Sequence, residues 1–240
     1  MPPDSPERPA AFSSAPTAEQ ALTTVQARIA AAARASGRDA AAVKLVAVSK
    51  TQTAERIAAL ARAGQRDFGE NYLQEAIPKI RELAPLGLTW HFIGRLQSNK
   101  TRDVASHFAW VHSLDRLKLA ERLSAQRPPE LPALQCLLEI NADAEASKGG
   151  VDFVALGELV AAVRELPGLA LRGFMAMPAP REEPAAQRAV FADLVARLSP
   201  LRAGLDILSL GTSGDFEAAI AAGSTMVRIG TAVFGPRPAR

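Results

Sequence analysis

Short apolar runs of strand length alternate along the chain with longer stretches of helical periodicity. The strand-length runs are 44–49, 66–70, 88–93, 108–112, 134–140, 169–174, 206–210 and 225–230. The helical stretches are 54–63, 71–83, a short one near 98–105, 114–126, 152–165, 184–198 and 215–222. Eight strand-helix alternations in 240 residues predict an α/β protein, a single (β/α)8 TIM barrel.

An open, doubly wound parallel sheet is the alternative architecture. Such a sheet normally carries a glycine-rich dinucleotide-binding turn after its first strand. The segment that follows the first predicted strand reads KTQTAE and contains no GxGxxG pattern. The barrel is therefore the preferred interpretation.

The N-terminal region predicts a tail followed by one extra helix. Residues 1–16 are rich in proline, serine and alanine, a composition typical of disorder. Thr17 and Gln20 form a capping-box pattern, and an apolar stripe at helical spacing then runs to Gly37. We expect a disordered tail over 1–16 and a single barrel domain over 17–240.

The composition argues against several classes of protein. No run of about 20 apolar residues is free of charge, so no membrane span is expected, and the N-terminus lacks a secretory pattern, which predicts the cytoplasm. The net charge is +3, but the basic residues are scattered among acids, which argues against nucleic-acid binding. His91, His107 and His112 lack metal-binding spacing, and the lone Cys136 lies in an apolar run as a predicted core residue. No metal site is predicted.

Polar residues and glycines gather where the predicted strands end. Lys50 follows the first strand, Asn71 the second and His91 lies near the end of the third, while 211–213 and 230–231 follow the last two. The binding residues of TIM barrels lie at this end of the strands. We therefore expect these groups to converge on one rim.

Lys50 is the most informative of these residues. The run LVAVS brings it to the rim, whereas Lys44 begins the same strand at the solvated opposite end. A lysine beside a partly apolar cavity loses its proton readily and becomes a nucleophile toward aldehydes. The alternative is an ion pair with a nearby carboxylate such as Glu70, and spacing alone leaves both possibilities open.

The segment 209–235 predicts a second element of the site. Ser213 precedes a helix, and Gly230 and Thr231 close the last strand, in the two loops where TIM barrels commonly hold a phosphate. Asp215 slightly disfavours an anion there, although a role as helix cap would explain it. Ordinary turn chemistry is the alternative explanation.

Arg228 stands inside an apolar strand and needs a hydrogen-bond acceptor, because an unsatisfied buried guanidinium would be costly. The acceptor could be a buried carboxylate or a ring nitrogen of a bound cofactor. An aldehyde-seeking lysine, a phosphate cradle and a buried arginine together describe a site for pyridoxal 5′-phosphate (PLP).

Several sequence motifs occur in the order typical of one known family. They are LVAVSKTQ at 45–52, FGENYLQEA at 68–76, WHFIGRLQSNK at 90–100, HSLD at 112–115 and the block 209–235. On these motifs the chain, from about residue 18 to 235, resembles the pyridoxal phosphate homeostasis protein family. The resemblance implies a barrel like the N-terminal domain of alanine racemases, with PLP held as an internal aldimine.

The resemblance also implies roles for individual residues. Lys50 is similar to the Schiff-base lysine, Arg228 to the partner of the pyridine nitrogen and Asn71 to a residue near the cofactor ring and its hydroxyl. Phosphate ligands are implied at Ser213, Gly230 and Thr231. His91 is also a candidate cofactor-binding residue, and the alternative is that its ring packs under the site without touching the cofactor.

The sequence departs from the family at a few positions. Thr53 stands where the family often has proline, and it can cap the next helix instead. Leu210 and Thr212 stand where methionine is frequent, and the change at 212 lies beside the predicted phosphate site. Lys148, in the loop 147–151, is either a mobile residue of the rim or a solvated lysine.

The predicted function is a PLP-binding protein of vitamin B6 homeostasis without dedicated turnover. Racemisation usually needs a second acid or base, and Tyr72, the chain's single tyrosine, is a poor candidate because the family varies that position. A chain that ends at the barrel, and an arginine on the pyridine nitrogen, also disfavour catalysis. We expect a monomer that passes PLP to apo-enzymes. The alternatives are a monomeric, racemase-like PLP enzyme and a barrel for another phosphorylated ligand.

Overall fold

The computed structural model describes residues 16–143 and 149–235, in which eight parallel strands form a closed barrel in sequence order. The strands are β1 Lys44–Val48, β2 Asp67–Glu70, β3 Thr89–Phe92, β4 Trp110–Leu114, β5 Leu134–Ile140, β6 Leu169–Ala176, β7 Ile207–Ser209 and β8 Met226–Ile229. Strand β1 pairs with β8 as well as with β2, which closes the barrel. The predicted (β/α)8 architecture is confirmed.

Helices lie between the strands along the chain. They are α1 Ala18–Ala35, α2 Ala54–Arg62, α3 Leu73–Glu82, α4 Thr101–His107, α5 Leu117–Gln126, α6 Phe153–Arg164, α7 Pro184–Leu198, α8 Phe216–Ala221 and α9 Thr231–Phe234. Every predicted helical stretch contains a helix. The predicted helix 71–83 begins at Leu73, because Tyr72 has extended backbone angles, and the short α9 was not predicted from the sequence.

The extra N-terminal helix is confirmed as α1. Gln20 Oε1 accepts the Thr17 N–H at 2.9 Å, and Thr17 Oγ1 accepts the Gln20 N–H at 3.2 Å, which is the predicted capping box. The helix contacts α8 through Arg28, whose guanidinium bonds Glu217 at 2.8 Å. Residues 1–15 of the predicted tail lie outside the described residues.

Alternation along the strands separates two apolar clusters. The larger cluster joins strand residues such as Phe68, Val111 and Phe174 to the apolar faces of the helices. The smaller cluster comprises the alternate strand positions, which face the barrel interior: Val46, Trp110, Leu137, Met175 and Met226. The interior also contains buried polar side chains, so its apolar part is small.

Three further features concern membrane-spanning helices, metal sites and the single cysteine. No helix in the described parts of the chain is long and apolar enough to cross a membrane. Within those same residues, no group of three or more histidine, cysteine, aspartate or glutamate side chains is arranged to hold a metal. Cys136 is fully buried, and burial raises the pKa of its thiol to about 12, which suits a core residue.

Candidate functional site

A cavity of about 340 Å³ lies at the carboxyl ends of the strands. Small-molecule sites usually occupy roughly 300–1,000 Å³. Six of the seven predicted site residues line the cavity: Lys50, Asn71, Ser213, Arg228, Gly230 and Thr231. The fold therefore brings residues from both ends of the chain to one small-molecule site.

The backbone is strained directly after Lys50. Thr51 has a φ of 64°, and it is the one non-glycine residue with positive φ among those described. A β-branched residue in this conformation is costly and is usually held by its surroundings. The Thr51 N–H donates to Glu75 Oε2 at 3.0 Å, and the Gln52 N–H donates to the Ser49 carbonyl at 3.0 Å. These bonds fix the turn that carries Lys50.

A buried ion pair supports the same turn. Glu70 is fully buried and pairs with Lys79 at 3.0 Å, rather than with Lys50. The Ser49 hydroxyl donates to Glu70 at 2.6 Å, and the Lys79 ammonium donates to the Ser49 carbonyl at 3.1 Å. Burial raises the pKa of Glu70, against the opposing effects of Ser49 and Lys79. The pair thus holds the backbone immediately before Lys50.

Asn71 is held where β2 meets β3. A Cβ atom at Gly94 would lie 2.1 Å from the Asn71 carbonyl oxygen, so only glycine fits there. The Ser113 hydroxyl donates to the Gly94 carbonyl at 2.5 Å. Asn71 Oδ1 is buried and has no hydrogen-bond partner in the described part of the chain. A buried, unsatisfied acceptor in a residue of the cavity wall fits a ligand that brings a donor.

Arg228 is 5% exposed and satisfied by uncharged acceptors. Its Nη1 donates to the carbonyl and the hydroxyl of Ser209 at 2.6 and 2.7 Å, and its Nη2 donates to the Ala176 carbonyl at 3.2 Å. The Arg228 guanidinium is therefore satisfied without a carboxylate partner. Burial lowers its pKa to about 10, opposed by the charges of Asp215 and Glu139. The guanidinium remains a cation and keeps two of its five N–H donors for a ligand.

The predicted phosphate region lies around β7 and β8. Ser213 follows β7, and Gly230 and Thr231 begin α9, whose first N–H groups lack intrahelical acceptors by the geometry of a helix. The predicted capping role of Asp215 is wrong. Its carboxylate accepts the N–H and the hydroxyl of Thr212 at 2.6 and 3.0 Å instead of capping α8. The predicted cap at Thr53 is confirmed, since its side chain accepts the Arg56 N–H at 3.5 Å.

His91 does not lie with the other predicted site residues. It is fully buried in the barrel interior and stacks on Trp110, with 5.3 Å between ring centroids. Its Nε2 lies 3.0 Å from Asp67 Oδ1 and its Nδ1 lies 2.9 Å from His112 Nε2. His91 therefore packs within the barrel and does not form the cavity wall.

Sequence reasoning missed one charged residue of the cavity. Glu139, in β5, lines the cavity together with Arg228. Burial and the nearby Asp115 raise the pKa of Glu139, while Arg228 and Arg95 act to lower it. The available signal was a charged residue inside the apolar run CLLEI, the same kind of signal that identified Arg228. Tyr72 is half exposed and lies in a neighbouring surface pocket, and Lys148 lies outside the described residues.

The sequence places this barrel in the alanine racemase N-terminal class. The family model described as "Alanine racemase, N-terminal domain" matches residues 21–238. The chain is 57% identical over 221 residues to the pyridoxal phosphate homeostasis protein of Pseudomonas aeruginosa, covering 92% of this chain and 96% of that one. It is 54% identical over 222 residues to the protein of the same name from Escherichia coli K12, covering 90% and 95%.

A solved structure shows the same similarity. PipY of Synechococcus elongatus, with PLP bound, matches with a TM-score of 0.79 and 33% identity, over 91% of this chain and all of that one. The chain therefore belongs to the pyridoxal phosphate homeostasis protein family. The resemblance inferred from its motifs is confirmed.

Proposed function

We propose that this protein binds PLP in the cavity through Lys50 and takes part in vitamin B6 homeostasis, with no dedicated catalytic turnover. The observation that carries the proposal is the convergence of six predicted ligands on one cavity of about 340 Å³. The name of the bacterial relatives and the PLP bound to PipY support the choice of ligand. The proposal includes a cytoplasmic monomer that passes PLP to apo-enzymes.

Each residue of the cavity has a distinct role in this proposal. Lys50 would hold PLP through its side-chain amine, and the cofactor when bound would supply an aldehyde that reacts with amines. The Ser213 hydroxyl and the N–H groups of Gly230 and Thr231 bind the phosphate. Asn71 Oδ1, buried and unsatisfied in the described chain, accepts a hydrogen bond from the ligand.

Arg228 supports a holding role in preference to catalysis. Its guanidinium stays a cation, because its pKa is lowered only to about 10. A cation that donates to the pyridine nitrogen disfavours protonation of that nitrogen. An unprotonated ring is a weaker electron sink for carbanions, so the site is suited to hold and release a reactive aldehyde.

The ligand assignment is tested by titrating the protein with PLP and following its absorption spectrum. We expect saturable binding by the wild type and by Lys118→Ala, which removes an exposed lysine of α5. Lys50→Ala should lose the Schiff-base absorption band. Pyridoxal without its phosphate should bind more weakly. A wild-type protein that does not bind PLP contradicts the proposal.

The position of Glu139 is the reason to test a second candidate function, a racemase-like PLP enzyme. A carboxyl group in the cavity wall whose pKa is raised by burial has the character of an acid-base catalyst. The test incubates the PLP-loaded protein with L-alanine in D2O and follows α-deuteration and D-alanine formation. Product in catalytic excess that is lost in Glu139→Gln would support an enzyme. Product no greater than the protein concentration supports the holding role.

A further inference from the structure

Buried polar side chains form a continuous line through the barrel interior below the cavity. Arg228 Nη1 lies 2.7 Å from Ser209 Oγ, and Ser209 Oγ lies 3.3 Å from His112 Nδ1. His112 Nε2 lies 2.9 Å from His91 Nδ1, and His91 Nε2 lies 3.0 Å from Asp67 Oδ1. The arginine, the serine and both histidines are buried, so the hydrogen bonds that join them are shielded from water.

The two ends of this line determine its direction. Arg228 can only donate, and an ionised Asp67 can only accept. Burial acts to raise the pKa of Asp67, but the hydrogen bond from His91 and the charge of Lys44 hold it below its usual range, so Asp67 is ionised. His91 must therefore carry its proton on Nε2, toward Asp67.

The positions of the remaining protons follow because both imidazole rings are neutral. Burial lowers the pKa of His91 and, more strongly, that of His112, so each ring carries one proton. With His91 Nδ1 as an acceptor, His112 must donate from Nε2, and His112 Nδ1 then accepts the Ser209 hydroxyl proton. The oxygen of Ser209 is left with lone pairs for Arg228. Every hydrogen bond in the line thus points from the cavity toward Asp67.

We infer that Ser209, His112, His91 and Asp67 form a one-way hydrogen-bond chain that positions Arg228 for its ligand, and we name these four positioning residues the barrel chain. The inference rests on the proposed function for the identity of the ligand. Asp67 is the first residue of β2 and its side chain is 16% exposed, so the barrel chain links the cavity to the opposite end of the barrel. It also gives His91 a role that does not require contact with the cofactor.

The first test needs no cofactor and uses the wild-type protein. Nitrogen-15 NMR of the labelled histidine side chains distinguishes the two neutral tautomers of each ring. We expect both His91 and His112 to be neutral at pH 7.5 with the proton on Nε2. A proton on Nδ1 of either ring would overturn the inferred direction.

The second test measures PLP affinity in matched serine variants. Ser209→Ala removes the hydroxyl between His112 and Arg228 but keeps the carbonyl acceptor at Ser209. Ser224→Ala is the control, because Ser224 is equally buried in the same region. Its hydroxyl lies within 3.1 Å of three possible acceptors outside the barrel chain, the carbonyls of Leu208, Leu210 and Met226. We expect Ser209→Ala to bind PLP about tenfold more weakly than Ser224→Ala.

The two tests separate the possible failures. Equal PLP affinity of Ser209→Ala and Ser224→Ala would overturn the positioning role. Failure of the wild type to bind PLP would overturn the proposed function, whereas the tautomer measurement would still decide the direction of the barrel chain. If Ser209→Ala does not fold, the tautomers of the wild-type protein still decide whether the barrel chain runs as inferred.

Discussion

The ammonium of Lys79 lies 3.0 Å from the fully buried carboxylate of Glu70 and 3.1 Å from the carbonyl of Ser49. The lysine thereby neutralises a buried charge and also holds the residue that precedes Lys50. A structural ion pair is thus joined to the backbone one residue before Lys50, the proposed PLP ligand. Substitution of Lys79 or Glu70 should therefore affect both the stability of the fold and the turn that carries Lys50.

Lys79→Met should destabilise the protein by about 3–5 kcal/mol, because it leaves Glu70 buried without its counter-ion. The double variant Lys79→Met/Glu70→Gln should recover part of this loss, since the amide carries no charge. Denaturant unfolding measures both. Lys118→Met, at an exposed position of α5, serves as the control. An effect of Lys79→Met no greater than that of the control would contradict the role given to the pair.

Replacing Thr51 by glycine should stabilise the protein by up to about 1 kcal/mol, because glycine adopts a positive φ without steric cost. The increased entropy of the unfolded chain offsets part of this gain. Thr51→Val keeps a β-branched side chain and should show no gain. Thermal unfolding of the three proteins checks the order, and a Thr51→Gly variant less stable than wild type would argue against strain at this turn.

Stability should fall as the pH decreases from 6.5, the usual pKa of histidine. Burial depresses the pKa values of His91 and His112 in the folded protein, so below 6.5 the unfolded chain binds protons that the folded protein does not. The stability these two histidines contribute is therefore present above 6.5 and lost below it. Each contributes a slope of at most about 1.4 kcal/mol per pH unit.

Unfolding free energies of the wild type and of His112→Gln, measured between pH 5 and pH 8, test this dependence. The variant should have a shallower slope below 6.5, because one of the two buried rings is gone. His107→Gln changes a histidine at the end of α4, outside the barrel interior, and should keep the wild-type slope. Identical slopes for wild type and His112→Gln would refute the assignment.

Arg228→Gln should weaken PLP binding by at least about tenfold, because hydrogen bonds from a charged donor contribute about 1.5–3 kcal/mol. Arg62→Gln, at an exposed position near the end of α2, should bind PLP nearly as well as the wild type. The absorption maximum of the complex should also shift in Arg228→Gln, since a neutral amide no longer disfavours protonation of the pyridine nitrogen. Unchanged affinity and spectrum would contradict a contact between Arg228 and the ring.

Most of the fold could be predicted from the sequence, because the barrel alternates buried strands with amphipathic helices and each has its own periodicity. The site residues at strand ends followed from the same pattern. The tertiary partners did not follow: nothing local indicates that Lys79 would pair with Glu70, or that Asp215 would bond Thr212 instead of capping α8. The strain at Thr51 depends on contacts with α3 and leaves no trace in the sequence.

The sequence also could not show which strand residues line the cavity and which lie in the layer below it. His91 and Glu139 both lie in strands, and only the register of the barrel places Glu139 in the cavity wall and His91 beneath it. Periodicity gives the face on which a residue lies, but it does not give its depth along the barrel axis.

Lys50 is the residue proposed to hold PLP. The most direct test of this assignment is borohydride reduction of the PLP-treated protein, followed by peptide mass mapping of the pyridoxyl adduct. We predict an adduct on Lys50 in the wild type and in Lys118→Ala, and none at this position in Lys50→Ala. Labelling that is spread over other lysines with Lys50 unmodified, or no labelling with excess PLP, would contradict the assignment of Lys50.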